Sequence, residues 1–253
     1  MKILSSSQIK ECDSATIEKG ISSISLMENA ATKCANWIVD NFKSNQSFSI
    51  FCGNGNNGGD GFAIARMLYE KGFDVEVFID EDNSKFSEDA KINLNKIKPI
   101  SGITIKDYSE FDNRDNSVII DALFGYGLNR ELSYDFKNLI EKLNQIQVPK
   151  ISIDIPTGLY ADKIIEENST VFKADFTLTF QFYKRSFLHP ETGKFCGKII
   201  VLNIDLDKDF INEIETDYFV IDENLIKEIY KPRGDFCHKG TFRKKYFSGR
   251  KLW

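Results

Sequence analysis

Asp154 is the side chain best placed for chemistry in this sequence. It stands near the end of an apolar run, Ile151-Ser152-Ile153-Asp154-Ile155, two residues before Pro156. A carboxyl there is partly desolvated, and burial disfavours its charged form, which suits it to proton transfer. The competing reading is a loop cap closed by an Asx-type hydrogen bond, and position alone leaves the two in balance. Asp121 ends a second apolar run, Val118-Ile119-Ile120, and has the same two options plus a third. With the amide oxygen of Asn57 and the hydroxyl of Thr157, its carboxylate could surround one hard cation. Ordinary turn roles for Asn57 and Thr157 are the simpler alternative. Arg130 could grip a phosphate through a bidentate contact, or be a plain surface arginine.

Residues 53–61 read GNGNNGGDG, between an apolar stretch (Phe48, Ile50, Phe51) and the helical run that opens with Phe62. Such a strand, glycine turn and helix start lets the backbone approach a ligand, and the free N–H groups of the helix favour anions. Gly53, Gly55 and Gly58 satisfy the dinucleotide pattern G-x-G-x-x-G, with Asp80 about where a ribose-binding acid is expected. The rest of the loop argues against an ordinary dehydrogenase. Asp60, expected in the first helical turn, would repel a pyrophosphate, and Asn56 and Asn57 add amides that phosphate cradling does not need.

The elements that must position these residues follow from periodicity. Apolar residues Ile9, Cys12 and Ile17, then Leu26, Met27, Ala30, Ala31, Cys34, Trp37 and Ile38, recur at helical spacing, with Gly20 between two helices. Strands are expected at 48–52, 75–79, 103–105, 118–120, 151–155, 175–181, 198–204 and 217–221. Helices are expected over about 60–71, from Ser87 toward Pro99, and over about 133–146. Strands alternating with helices imply a three-layer α/β/α sandwich, a Rossmann-like and mainly parallel sheet with extra N-terminal helices. Ligands bind beyond the carboxyl ends of such strands. The loops 53–60, 121–131 and 154–162 would then bring Asn56, Asn57, Asp60, Asp121, Gly125, Gly127, Arg130, Asp154 and Thr157 to one pocket. The apolar N-terminal helices (Leu26, Met27, Trp37, Ile38) offer a face for a homodimer.

A formal charge of -5 leaves no basic footprint, which argues against a nucleic-acid partner. No apolar run approaches membrane-spanning length, and Met1-Lys2-Ile3-Leu4 opens no signal-peptide apolar region. The five cysteines are odd in number and never spaced C-x-x-C, so they read as reduced thiols of a cytoplasmic protein. Two histidines, His189 and His238, give little material for a zinc site or a Ser-His-Asp triad.

Four segments together resemble the NAD(P)H-hydrate epimerase family, also called the YjeF N-terminal domain family: LMENAA at 26–31, GNGNNGGDGFAIARML at 53–68, DALFGYGL at 121–128 and DIPTGLYAD at 154–162. KADFTLTF at 173–180 matches more loosely. The resemblance implies a Rossmann-like fold and an isomerase that interconverts the R and S forms of NADHX and NADPHX, nicotinamide dinucleotides hydrated at C6. Carried over by position, Asn56, Asn57, Gly58, Gly59 and Asp60 contact the hydrate. Gly125, Tyr126, Gly127, Leu128, Asn129, Arg130 and Glu131 form a second substrate loop. Asn57, Asp121 and Thr157 bind a potassium ion, and Asp154 is the substrate-binding carboxylate and acid/base. Two positions depart from the family: Thr157 stands where serine is usual, and Tyr126 where threonine or another small residue is common.

RGDFCHKGTF at 233–242 resembles the opening of the ADP-dependent NAD(P)H-hydrate dehydratase domain, and the likeness stops after Phe242. This implies an epimerase domain over 1–222, then a linker and truncated dehydratase start over 223–253, without dehydratase activity. A non-catalytic nucleotide-binding or scaffold protein, and an NAD-dependent dehydrogenase, are the competing functions.

Overall fold

The structure, a computed structural model, describes residues 1–80, 85–112, 117–221 and 223–230. The 233–242 segment and Cys237 lie outside the described residues. Seven strands form one sheet: β1 (Ser47–Cys52), β2 (Asp74–Ile79), β3 (Ile103–Asp107), β4 (Ser117–Ala122), β5 (Lys150–Ile153), β6 (Phe176–Phe180) and β7 (Lys198–Leu202). Their order is β3-β2-β1-β4-β5-β6-β7, and every neighbouring pair is parallel. The order reverses between β1 and β4, which opens a crevice at their carboxyl ends.

Alternation along the strands builds the two cores. Phe48, Ile50 and Cys52 of β1 join Val75 and Val77 of β2 and Val118 and Ile120 of β4 in one cluster. That cluster is closed by buried residues of α2 (Ser23–Asn41), α3 (Asn56–Glu70) and α4 (Glu88–Ile97). Phe51, Phe78 and Ile119 face the other way and meet Leu139, Ile140 and Leu143 of α5 (Tyr134–Gln145). The result is the expected three-layer α/β/α sandwich. Each fully buried side chain of this size stabilises by roughly 1.5–3 kcal/mol relative to exposure. Capping fixes the helix starts as well. Ser87 caps α4 by accepting from the Ala90 N–H, with Glu88 and Asp89 in the first turn, and Ser133 caps α5. In α1 (Ser6–Glu18), Ser5 and Gln8 form a reciprocal capping box.

Four expectations change. α3 begins at Asn56 rather than near residue 60, so half of the glycine loop is the first helical turn and Asp60 lies one turn deeper. β5 ends at Ile153, because Asp154 adopts φ 65°, a left-handed conformation that cannot continue a strand. The segment 217–221 does not join the sheet, whose last strand is β7. Finally, the side chains expected at a dimer face are used within the chain. Leu26, Met27 and Ile38 are buried, and Trp37 packs against Phe42 and Phe176.

The chain divides into two compact units. One is Lys2–Tyr218, which holds the whole sheet; the other is Met1 with the residues from Phe219 onward. In the smaller unit the Val220 N–H donates to the Met1 carbonyl at 2.9 Å, and α8 (Glu223–Ile229) follows. No helix among the described residues is long and apolar enough to cross a membrane.

Candidate active site

The turn at Asp154 sets the site. Its backbone N–H donates to the Leu178 carbonyl at 2.7 Å, which keeps the residue against β6 after β5 has ended. With φ 65° the chain bends and the carboxyl turns into the crevice. Aspartate tolerates this conformation better than most residues. The side chain is almost fully buried, yet both oxygens are engaged. Oδ2 accepts the Tyr126 N–H at 2.9 Å, and Oδ1 lies 2.6 Å from the Lys184 ammonium. Lys184 is itself 1 % exposed. Removing one partner of a buried ion pair costs about 3–5 kcal/mol, since it strands the other charge.

Asp121 lies on β4, opposite Phe51 of β1 and Ser152 of β5, and is wholly buried. Its carboxyl accepts from the Thr157 hydroxyl at 2.6 Å, the Thr157 N–H at 2.8 Å, and from Leu123 N–H and Ser152 Oγ, both at 3.2 Å. Burial pushes this carboxyl up to about 6, against the lowering effect of those donors. The Thr157 hydroxyl also accepts the Phe124 N–H at 3.3 Å. Asn57 is buried on the first turn of α3, and its Nδ2 has no hydrogen-bond partner among the described residues. A Cβ added at Gly125 would stand 3.3 Å from the Asn57 amide oxygen and 3.2 Å from Asp154 Oδ2, so Gly125 sits between the two groups. Asn57, Asp121 and Thr157 offer one amide oxygen, one carboxylate and one hydroxyl; the unpaired amide nitrogen, a hydrogen donor, is no cation ligand. The oxygen set fits a hard monovalent cation.

The glycines of the 53–61 loop serve the fold more than a ligand. A Cβ on Gly53 would stand 1.9 Å from the Leu123 carbonyl oxygen, and one on Gly58 1.8 Å from the Gly53 carbonyl oxygen. A Cβ on Gly61 would meet Cys52 Sγ and Ala122 Cβ at 2.6 and 2.7 Å, and one on Gly59 the Met27 sulfur at 2.7 Å. These four let α3 settle onto β1, β4 and α2. A Cβ on Gly55 would meet nothing within 4 Å.

Beyond Asp154 lies a cavity of about 140 Å³ with mostly apolar walls, to which Leu26 and Met27 of α2 and Phe180, Ile204 and Leu206 contribute. Its polar groups are Asn56, Asp60, Asp89, Asp13, Tyr126, Gln181, Lys184 and Asp154, together with Ser23 at one edge. Burial pushes Asp13 up to about 6, offset in part by the Tyr126 phenol, which donates to it at 2.8 Å. Burial also raises Asp60 well above the ordinary carboxyl range, and the Asp154 charge raises it further. The Tyr126 phenol is held in its neutral form by burial and by the Asp13 charge.

The structure thus brings Asn56, Asp60, Tyr126 and Asp154 to one cavity, with Gly125 between Asn57 and Asp154, while Asp121 and Thr157 form a bonded, buried pair that is not among the cavity's lining. It sets the rest of the second loop apart. Gly127 has open space, Leu128 packs toward the α5 cluster, and Asn129 is exposed. Arg130 and Glu131 line a different, polar hollow with Lys137, Tyr160 and Ser169, where Glu131 pairs with Lys137 at 3.1 Å. Sequence reasoning missed two site residues. Lys184 stands with Arg185 inside the aromatic run FQFYKRSF, and Asp13 lies in α1 between Cys12 and Thr16, both buried. A charge within an otherwise buried pattern was the available signal in both.

Comparison with known proteins bears on the family and the fold. The NAD(P)H-hydrate epimerase of Elusimicrobium minutum is 35% identical over 224 residues, covering 85% of this chain and 100% of that protein. The bifunctional NAD(P)H-hydrate repair enzyme Nnr of Dictyoglomus turgidum is 33% identical over 249 residues, covering 95% of this chain and 48% of its own length. The chain therefore spans about half the length of the bifunctional relatives. The crystal structure of the yeast protein YNL200c superposes with a TM-score of 0.70 at 23% identity, covering 84% of this chain and 93% of that one, which bears on the fold. Residues 23–186, which carry every strand-end loop of the site, match the family described as YjeF-related protein N-terminus. With its motif segments converging on one crevice and full-length relatives of the same kind, the chain belongs to the YjeF N-terminal domain family, that of the NAD(P)H-hydrate epimerases.

Proposed function

We propose that this protein is an isomerase that interconverts the R and S forms of NADHX and NADPHX in the repair of damaged nicotinamide cofactor. The observation that carries the reading is the buried Asp154 at the floor of a small apolar cavity that the family's loop motifs enclose. The C6 hydroxyl of the hydrate sits on a carbon bonded to the ring nitrogen, so it is a carbinolamine. Inversion proceeds by loss and return of hydroxide through an iminium, or by opening and reclosing the ring. Both routes need proton transfer at one oxygen and neither needs a redox step, so one carboxyl can serve as acid/base. Asp154 takes that role. The apolar walls suit the uncharged hydrated ring and exclude water, while Asn56, Asn57 and Asp60 at the start of α3, with Gly125 and Tyr126, take the polar parts of the dinucleotide.

Asn57, Asp121 and Thr157 would hold a potassium ion when it is bound. The ion would supply positive charge at the strand ends, where a dinucleotide brings negative charge and Asp121 has no cationic partner among its contacts. The residues themselves bind, orient the ring and move the proton. The test is to incubate purified protein with one NADHX epimer and follow both epimers by chromatography, at low and high potassium. Equilibration no faster than in buffer would sink the proposal.

A further inference from the structure

We propose that Lys184 is a positioning residue that presents Asp154 to the substrate as a carboxylate, so that epimerisation starts with Asp154 as a base and runs through ring opening. This rests on the function proposed above and deepens it.

The inference begins with what Lys184 touches. Its Nζ lies 2.6 Å from Asp154 Oδ1, 2.9 Å from Thr179 Oγ1 and 3.3 Å from the Phe180 carbonyl oxygen. Three N–H bonds thus meet three acceptors, which is the full complement of an ammonium. The nitrogen also stands 5.9 Å from the centre of the Tyr126 ring, on which a cation is favoured. The side chain has no exposure to solvent.

Four carboxyls line the cavity: Asp13 from α1, Asp60 from α3, Asp89 from the first turn of α4 and Asp154 after β5. Of these, Lys184 pairs with Asp154, while Asp89 accepts from Ser23 Oγ at 3.1 Å. Asp13 has the neutral phenol of Tyr126 instead, and burial drives both Asp13 and Asp60 toward the protonated form. The 2.6 Å ion pair therefore marks Asp154 as the carboxyl of the cavity that is held against a buried cation. Its second oxygen, Oδ2, is held by the Tyr126 N–H next to Gly125, on the side away from the ammonium.

A carboxylate can take a proton but cannot first give one. Loss of hydroxide would need an acid at the C6 oxygen from the outset. With a base, the C6 hydroxyl gives its proton to Asp154 and the O–H electron pair forms the C6 carbonyl. The C6–N1 bond breaks with its pair on N1, which is stabilised by conjugation through C2=C3 to the carboxamide. N1 takes the proton back from Asp154, leaving an open-chain aldehyde and an enamine N–H. Rotation about C5–C6 exposes the other carbonyl face, and the same steps in reverse close the ring with C6 inverted. Nothing is oxidised or reduced, and the C6 oxygen never leaves.

The test is epimerisation by the wild-type protein in water enriched in oxygen-18, with the C6 oxygen read by mass spectrometry before equilibrium. The expected result is inversion with retention of the original oxygen. Lys184→Met should lower kcat at least tenfold while KM changes less than threefold, and Lys184→Arg should restore most of the rate. One labelled oxygen gained per inversion, or a folded Lys184→Met protein with kcat within twofold of wild type, overturns this inference alone. No epimerisation by the wild type overturns the proposed function and this inference with it. The isotope measurement needs no variant, so it decides even where Lys184→Met does not fold.

Discussion

The Tyr126 phenol donates a 2.8 Å hydrogen bond to the Asp13 carboxyl while its own backbone N–H holds Asp154, so a single loop residue ties helix α1 to the cavity floor. Tyr126→Phe keeps the ring and the backbone contact and removes only the bond to Asp13. A buried polar group that loses its partner costs about 1–3 kcal/mol. The melting temperature should fall by several degrees, and the epimerisation rate by less than tenfold. An unchanged melting curve would show that Asp13 finds another partner at no cost.

Asp13 also gives the protein a pH signature. Its carboxyl is pushed from 3.8 to about 6 on folding, chiefly by burial. Between those values the folded state holds a proton that the unfolded state has released, so stability falls as pH rises through this window. Asp13→Asn removes that contribution. The difference in melting temperature between pH 4.5 and pH 6.5 should be smaller in Asp13→Asn than in wild type. An equal difference in both would assign the dependence to Asp60 and Asp121 instead.

Asp154→Asn is the sharpest test of the chemistry. Asparagine also tolerates a left-handed backbone, so the φ 65° turn survives. Stranding the buried Lys184 charge lowers stability by about 3–5 kcal/mol, so the variant's fold is checked by circular dichroism before turnover is compared. The charge and the transferable proton are lost, and Lys184 is left facing a neutral amide. Epimerisation should drop by roughly 100-fold or more, the usual range for an acid/base group. Dinucleotide binding, measured by calorimetry, should weaken much less. Near-wild-type turnover would place the proton elsewhere.

The sheet was legible because its strands are written as short apolar runs ended by polar, glycine-bearing loops, and such loops gather at one edge of a parallel sheet. Asp121, Thr157 and Asp154 could be found that way, since each follows such a run. Lys184 and Asp13 could not, because their partners lie far along the chain: Asp154 is 30 residues from Lys184, and Tyr126 is 113 residues from Asp13. No periodicity reports a contact across that distance. The start of α3 was misplaced for a local reason. Glycine and asparagine are poor helix formers, yet Asn56-Asn57-Gly58-Gly59 is the first turn of α3, seated so closely that a Cβ at Gly58 would strike the Gly53 backbone and one at Gly61 would strike Cys52 and Ala122.

That packing separates two kinds of glycine. Gly58→Ala would put a Cβ 1.8 Å from a backbone oxygen, which no rotamer change can relieve, and the backbone shift should cost several kcal/mol or prevent folding. Gly127→Ala meets nothing within 4 Å and should leave the melting temperature within a degree or two. Thermal melts of the two proteins make the comparison. Equal stability would mean that the α3 start relaxes far more freely than its contacts imply.

Thr157→Val tests the proposed cation site without touching Asp154. Valine matches threonine in shape but lacks the hydroxyl that bonds Asp121 at 2.6 Å and accepts the Phe124 N–H. The loss should destabilise the protein by about 1–3 kcal/mol, because Asp121 and Phe124 are each left one partner short. A ligand that binds only the folded state raises stability in proportion to the logarithm of its concentration. Replacing sodium by potassium should therefore raise the melting temperature of wild type and of Thr157→Ser, which keeps an oxygen donor, and should do little for Thr157→Val. If all three proteins respond alike, or none does, the cation does not sit among Asn57, Asp121 and Thr157.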